Sequence, residues 1–531
     1  MNLRMMKRLS NLDIMTPSNN AGNGNRLFLG SFLILVAAGM GFSARGAILR
    51  TWGAEFGFTQ SELGVITGFG LTGFGLTVLF FSVLTERLGY GVLIALTFAF
   101  HTLSGLITLA AVPIFHAFGK EGVFWCLTIG TTLFAVGNGA SEAAINPLIA
   151  VLHPLERTHR LNILHAGYPG GLILGAVLGV LLQGARWEII LLTYLAPTAL
   201  YGFLMFGQKF PASQARKHSM GMSTMLKDFT SPILLFLLFL MALVGFVELG
   251  TDSWIQNITG SLMADPKKGL YLFIGTSTMM FVLRFVAGPI VHRISPLGLL
   301  MCSACFGATG LFLLSEAGAK FNLGGPMLAA SAAAAVYGIG KTFYWPTMLG
   351  VVAERFPRGG AYTLGAMGCA ATLSAGLLGG PAIGFMQDYF ASHDLERKAP
   401  AAYERYRADR ENSLLWVFRV RGLDGSKVAV LADDGKQLGE DLRVLAQSKA
   451  DSNQILHLAS LRDWWEGVRA EASQDRGPVN DATLHGGRMA LRCTAFVPVT
   501  MALGYLLLIL YFKSKGGYRQ IHLDASPTAP L

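Results

Sequence analysis

The chain has 531 residues, of which 52% are hydrophobic and only 14% charged, with a formal net charge of +10. Soluble domains carry roughly a quarter charged residues, so this composition excludes a string of ordinary soluble domains. No nucleic-acid-binding motif accompanies the positive balance, and basic loops of a membrane protein account for it.

Met1 to Arg26 is a polar, basic tail. Apolar runs of the ~20 residues that cross a bilayer then recur along the chain. They predict spans at 27–49, 61–84, 90–114, 122–152, 160–183 and 187–207, then a linker at 208–230. Further spans are expected at 231–257, 270–291, 296–317, 325–353 and 361–387. The first run continues too far for a secretory signal. Residues 390–487 are too charged to span. A last helix over 488–512, apolar from 490, precedes a tail at 513–531. The fold class is therefore all-α integral membrane. Twelve transmembrane helices form two pseudo-symmetric six-helix bundles, 27–207 and 231–512, with an extramembrane α+β insert between the eleventh and twelfth. Within the insert, Leu414 to Val420 reads as a strand, Asp424-Gly425 as a turn and Lys427 to Leu431 as a second strand. Leu442, Leu445, Leu458, Leu461 and Trp465 mark helical faces.

Basic residues concentrate on alternate loops: Arg4, Lys7, Arg8, Arg26, Arg87, Arg157, Arg160, Arg216, Lys217 and Arg293 fall on the side of both termini. That asymmetry places both termini in the cytoplasm and the insert outside. Short loops and the lack of an organelle presequence point to a bacterial inner membrane. Cys302-x-x-Cys305 lies in an apolar run without a second ligand pair, so it reads as packing, and no metal or cofactor is expected. No nucleophile–base arrangement or P-loop is found, so the chain is read as a non-enzyme that draws on an ion gradient.

The halves echo each other. The second span ends in Ser82-Val-Leu-Thr-Glu86-Arg87-Leu-Gly89 and the eighth in Gly288-Pro-Ile-Val-His-Arg293. The fourth holds Gly137-Asn-Gly139 before Pro147, and the tenth Gly338-Ile-Gly340 before Pro346. Such internal symmetry is what repeat-built transporters show. The Ser82–Gly89 segment resembles the signature between the second and third helices of the major facilitator superfamily. That resemblance implies a gating role for Glu86, Arg87 and Arg293. Glu142-Ala-Ala-Ile-Asn146-Pro147, followed by Arg160-Leu-Asn162, is similar to the fucose/galactose/glucose–proton symporters. In that family the acid of the fourth helix and the Asn of the fifth line the sugar site, which implies those roles for Glu142 and Asn162. The sequence departs from the family at the first helix, where Arg45-Gly46 stands in place of its proton-accepting Asp.

Ionisable groups inside membrane helices cost about 2.5–3.5 kcal/mol on insertion scales, so each needs a reason. Arg45, Glu142, Glu248, Asp252, Arg284 and Lys341 are the candidates, and the superfamily resemblance sets most of them around one central cavity. Glu142 is expected to carry the proton or to accept hydrogen bonds from sugar hydroxyls. The alternative for Glu142 is a structural pair with Lys341, and a second pair is open to Arg45 and Glu248, which together would leave the cavity nearly neutral and suited to a neutral sugar. An unpaired Arg45 or Lys341 would instead hold an anion such as a hexuronate. Asp252 is expected near solvent and Arg284 at the cytoplasmic end. Asn146, Tyr344 and Trp345 complete the expected substrate contacts, the aromatics facing sugar rings. His165 is open to a relay or a structural role. The reading is a monomeric, proton-coupled importer of a sugar or sugar acid, working by alternating access. An exporter of an organic anion or amphipathic compound, or a non-transporting sensor using the insert, is the alternative.

Overall fold

The computed structural model describes residues 20–56, 60–182, 185–213, 222–263, 266–409, 411–414, 417–447 and 452–521. Arg4, Lys7, Arg8, Arg216 and Lys217 of the orientation signal lie outside them.

The first half consists of α1 (Asn20–Phe56), α2 (Gln60–Leu88), α3 (Tyr90–Leu109), α4 (Ala111–Leu152), α5 (Arg157–Leu181) and the broken rod α6 (Trp187–Leu192) with α7 (Leu195–Met205). A short α8 (Met222–Leu226) lies in the linker. The second half begins with α9 (Pro232–Gly245), which runs through a π-helical turn at Phe246–Gly250 into α10 (Thr251–Leu262). There follow α11 (Pro266–Arg284), α12 (Ala287–Glu316), α13 (Pro326–Lys341) and α14 (Tyr344–Arg355). Next, α15 (Gly360–Ser374) passes through a second π turn, Ala375–Gly379, into α16 (Gly380–Lys398). Among the described residues, nine helical rods are long and apolar enough to cross a membrane. The expected second, eighth and tenth spans, α2, α11 and α13–α14, are not among those nine. Phe80, Phe203, Leu328 and Leu507 are each more than half exposed, a surface suited to hydrocarbon rather than water.

Two rods run longer than their apolar stretches because each joins two helices. The backbone of α4 bends at Gly119, where φ is 67°. That of α12 bends at Ser295, where φ is 65°, and Pro296 restarts the helix with the Ser295 hydroxyl accepting from the Gly298 N–H at 3.2 Å. Serine before a first-turn proline is a helix-start pattern.

Glycine lets α1 and α5 touch backbone to backbone. A Cβ on Gly39 would stand 2.2 Å from the Tyr168 carbonyl oxygen, and one on Gly171 2.2 Å from that of Val36. Only hydrogen fits at such crossings.

Beyond α16 the insert continues with α17 (Pro400–Tyr406), β1 (Asn412–Leu414), β2 (Phe418–Val420), α18 (Gly425–Asp433), α19 (Lys436–Gln447) and α20 (Ser452–Val468). The chain returns along α21 (Ala472–Thr494) into α22 (Phe496–Ser514). The insert has its own apolar cluster, centred on Tyr406, Leu431, Trp465 and Val479. Its strands differ from expectation. In place of one strand over Leu414 to Val420 there are two short antiparallel ones, with Leu414 paired to Phe418 and Asn412 to Val420; Leu415 and Trp416 lie outside the described residues. The expected second strand, Lys427 to Leu431, is helical. The Asp424 carboxylate accepts from the N–H groups of Ser426 (2.9 Å) and Lys427 (3.1 Å), so Asp424-Gly425 caps a helix instead of reversing a hairpin.

Candidate functional site: a charged cavity between the halves

A cavity opens between the two halves. The first half lines it with Phe42 of α1, Phe74 of α2, Asn138, Ser141 and Glu142 of α4, and His165 and Tyr168 of α5. The second half contributes Glu248, Arg284 and Trp345.

Three prolines shape the polar wiring around it. A proline inside a helix leaves the carbonyl four residues back without its helical donor. Pro147 frees the carbonyl of Ala143, which accepts from the Thr85 hydroxyl at 3.2 Å. Pro169 frees that of His165, and Pro346 that of Thr342. Arg284 serves both: Nη1 donates to the His165 carbonyl and Nε to the Thr342 carbonyl at 2.9 Å. Its remaining nitrogen, Nη2, meets Glu248 Oε1 at 3.3 Å. One fully buried guanidinium thus joins α5 of the first half to the junction of α13 and α14 and to the π turn of the second. Glu248 sits in that turn, a local widening of the helix that often marks functional positions.

The ion pairs are therefore not the two that the sequence left open. Glu248 pairs with Arg284 and not with Arg45. Lys341 reaches both Asp252 oxygens, at 2.6 and 2.8 Å, and not Glu142. Lys341 meets Asp252, one turn beyond Glu248 on the same rod. Asp252 is accordingly paired, and Arg284, the last residue of α11, lines the cavity. Arg45 is buried inside the first half. Its Nη2 donates to the Ser104 hydroxyl at 2.7 Å, and its guanidinium lies 4.0 Å from the centre of the Phe134 ring. It finds cation–π and hydroxyl partners there, without lining the cavity.

Glu142 has a different neighbourhood. It accepts from Asn146 Nδ2 at 2.5 Å, and Asn146 Oδ1 meets His165 Nε2 at 2.9 Å. Among the described residues no cation lies within ion-pair distance of Glu142. Asn146 thus stands one bond behind the lining. Asn162 and Tyr344 lie away from it: Asn162 donates to Thr347 Oγ1 (3.1 Å), and the Tyr344 hydroxyl donates to the Ser303 carbonyl (3.1 Å).

The end of the bundle that carries the linker is drawn together across the halves. Thr158 Oγ1 donates to Glu354 Oε1 (2.6 Å) and Arg157 Nη1 to the Ala353 carbonyl (2.5 Å). Glu86 accepts from the Ala361 N–H at 3.3 Å, at the N-terminus of α15, where the helix dipole favours an acid. Ser213 of the linker also donates to Glu86. Arg87 and Arg293 are exposed at this end. The residues after α22 add to the closure: Gln520 Nε2 donates to the Pro154 carbonyl (2.6 Å) and the Tyr518 hydroxyl to Glu354 Oε2 (2.7 Å).

Residues 31–383 match the family model described as Major Facilitator Superfamily. The chain belongs to that superfamily. Its members in these comparisons are transporters, not enzymes, and multi-pass membrane proteins. Solved structures share the fold at low identity. FucP, described as a fucose:proton symporter of E. coli, in its outward conformation is 18% identical with a TM-score of 0.54, covering 68% of this chain and 92% of that one. The proton:xylose symporter XylE, solved with 6-bromo-6-deoxy-D-glucose, is 16% identical with a TM-score of 0.60, covering 70% and 91%. No curated protein matches the chain.

Within this superfamily fold, the residues that sequence reasoning missed or misplaced are Asn138, His101 and Arg284. Pro169 and Pro346 carried the signal for Arg284, since two freed carbonyls on facing helices need a donor. The Gly137-Asn-Gly139 run named Asn138 without assigning it.

Proposed function

We propose that the chain is a secondary active transporter that imports an uncharged, hydroxyl-rich solute of the sugar class together with a proton held on Glu142. The observation that carries this reading is the charge arrangement. Among the described residues the cations near the cavity, Arg284 and Lys341, are bound to Glu248 and Asp252, so neither is left for a carboxylate on the solute. Among the described residues Glu142 has no cation within ion-pair distance, and a single proton there neutralises the cavity. Trp345, Tyr168, Phe42 and Phe74 supply ring faces, and Asn138 and Ser141 supply polar edges. The sugar–proton symporters that share the fold support the same class.

Twelve membrane crossings complete the picture, with the linker and both termini in the cytoplasm of a bacterial inner membrane and the insert outside. The bundle acts as a monomer. In this arrangement the bonds of Thr158, Arg157 and Glu86 close the cytoplasmic end, and solute enters from the insert side. Glu86 and Arg87 latch that closed state, with Arg293 as the counterpart in the second half. Alternating access follows when these bonds break and one half rocks against the other.

Uptake into proteoliposomes tests the substrate class. Labelled neutral hexoses and hexuronates are offered with and without an imposed proton gradient. Accumulation of a neutral hexose and not of a hexuronate is expected. Accumulation of the hexuronate alone would contradict the charge argument. No uptake of either class would turn the search to the exporter and sensor readings.

A further inference from the structure

We propose that Asn138 is a solute-recognition residue of the cavity and that His101, buried behind it, is the positioning residue that turns its amide N–H₂ toward the solute. The inference rests on the reading of the cavity as a site for a neutral hydroxylated solute and assigns two residues to it.

Asn138 lines the cavity and is 2% exposed. Its Oδ1 lies 3.2 Å from His101 Nε2, while its Nδ2 has no hydrogen-bond partner among the described residues. On the far side of the imidazole, Nδ1 lies 3.2 Å from the Tyr201 hydroxyl. One arrangement uses every proton of the chain Tyr201–His101–Asn138 with the amide oxygen facing the imidazole. The Tyr201 hydroxyl donates to Nδ1, which places the ring proton on Nε2, and Nε2–H donates to Asn138 Oδ1. Rotating the amide by half a turn requires the other tautomer, with Nδ1–H donating to the Tyr201 oxygen, and leaves the buried Tyr201 hydroxyl proton without an acceptor among the described residues. The Asn138 donor therefore stays with the cavity, where a buried donor left alone is costly and a solute oxygen relieves it.

The seat for the imidazole is written into α4. A Cβ at position 137 would lie 2.6 Å from His101 Cδ2 and 3.1 Å from Nε2, so Gly137 is what allows the ring to reach Asn138. Phe134 packs on the other part of the ring, with centroids 5.2 Å apart. Gly137-Asn138 thus works as a unit: the glycine admits the histidine, and the histidine orients the asparagine. The second half presents a matching donor. Trp345 lines the same cavity, and its Nε1 also has no partner among the described residues. A ring bearing several hydroxyl oxygens can accept from Asn138 of the first half and Trp345 of the second at once, which ties solute binding to the relation between the halves.

The test measures binding and transport side by side on the full-length protein. Binding of D-glucose, D-galactose, D-mannose and their monodeoxy analogues to purified protein is followed by calorimetry, for wild type, Asn138→Leu, His101→Phe and His101→Gln. Asn138→Leu is expected to weaken the bound hexose about three- to tenfold, the worth of one neutral hydrogen bond. One deoxy position should lose affinity in wild type and lose nothing further in Asn138→Leu. His101→Phe should reproduce both effects although it touches no solute. His101→Gln, whose amide can still donate to Asn138 Oδ1, should restore discrimination at that position. Equal weakening of every analogue by His101→Phe, or no loss in Asn138→Leu, would overturn the proposal. The same holds if His101→Phe yields no folded protein and His101→Gln folds without discrimination. Binding that follows this pattern without proton-driven transport would remove the symport reading and leave the inference standing. Absence of binding by the whole panel would remove both.

Discussion

Glu354, at the end of α14, gathers three contacts that hold the linker end closed. Its Oε1 accepts from Thr158 of the first half at 2.6 Å, its Oε2 from Tyr518 at 2.7 Å, and its carbonyl from the Ile521 N–H at 2.9 Å. Glu354→Ala removes the first two and leaves the backbone contact. A hydrogen bond to a charged group contributes about 1.5–3 kcal/mol. The Thr158 bond exists only while the linker ends of the halves touch, so its loss shifts the balance toward the linker-open state by about 10- to 150-fold. Glu354→Gln keeps an acceptor oxygen without the charge and should shift it less. Thr158→Val should match the alanine variant for this contact. The assay is a pulsed electron-spin distance measurement between labels at the exposed positions Leu155 and Ile294, one in each half, in a background without the native cysteines. A longer-distance population should grow in the order wild type, Glu354→Gln, Glu354→Ala. Unchanged distances in both Glu354→Ala and Thr158→Val would refute the role given to this cluster.

Further outcomes follow from the same contacts. Arg284→Met leaves Glu248 without its cation and two proline-freed carbonyls without donors. Breaking a buried pair from one side costs about 3–5 kcal/mol. Thermal unfolding in detergent should therefore show strong destabilisation, partly recovered in Arg284→Lys and more fully in Arg284→Met/Glu248→Leu. Gly39→Val forces a Cβ onto the Tyr168 carbonyl and should abolish monodisperse protein on size exclusion, whereas Gly46→Ala, with nothing within 4 Å of its Cβ, should be neutral. In the insert, burial pushes the Tyr406 phenol from 10.0 up to about 12. The folded state holds that proton more tightly than the unfolded one, so the insert keeps this contribution below pH 10 and loses it as pH rises toward 12. Tyr406 packs against Trp464, with ring centroids 5.4 Å apart, and tryptophan emission should report the transition. Tyr406→Phe should remove that pH dependence.

The helical rods were legible in the sequence because apolar length is a strong, local signal. Their ends were less so: α16 runs on to Lys398 through charged residues, held by contacts with α21 that no window of sequence contains. Glu142 and Trp345, which line the cavity, stood out in the sequence, the first because an isolated acid beside Asn-Pro in a span demands a reason, the second from its aromatic cluster. The partners were not. Which cation meets which carboxylate depends on the rotation of each helix, and one turn separates Glu248 from Asp252. Arg45 looked like a cavity residue because a charge in a span is expected to face water. It instead lies against the Phe134 ring and the Ser104 hydroxyl, contacts that only the packing of α1 against α3 and α4 provides. The insert misled through Asp424-Gly425, a pair that serves equally as a hairpin turn and as a helix cap.

The role of Glu142 is tested most directly by comparing two modes of transport in proteoliposomes, wild type against Glu142→Gln. One mode is accumulation of a neutral hexose driven by a proton gradient. The other is exchange of labelled for unlabelled hexose with no gradient. The glutamine keeps the hydrogen-bonding shape of the protonated acid, so exchange should persist while gradient-driven accumulation is lost. Accumulation undiminished in Glu142→Gln would contradict the assignment of the coupling proton to Glu142.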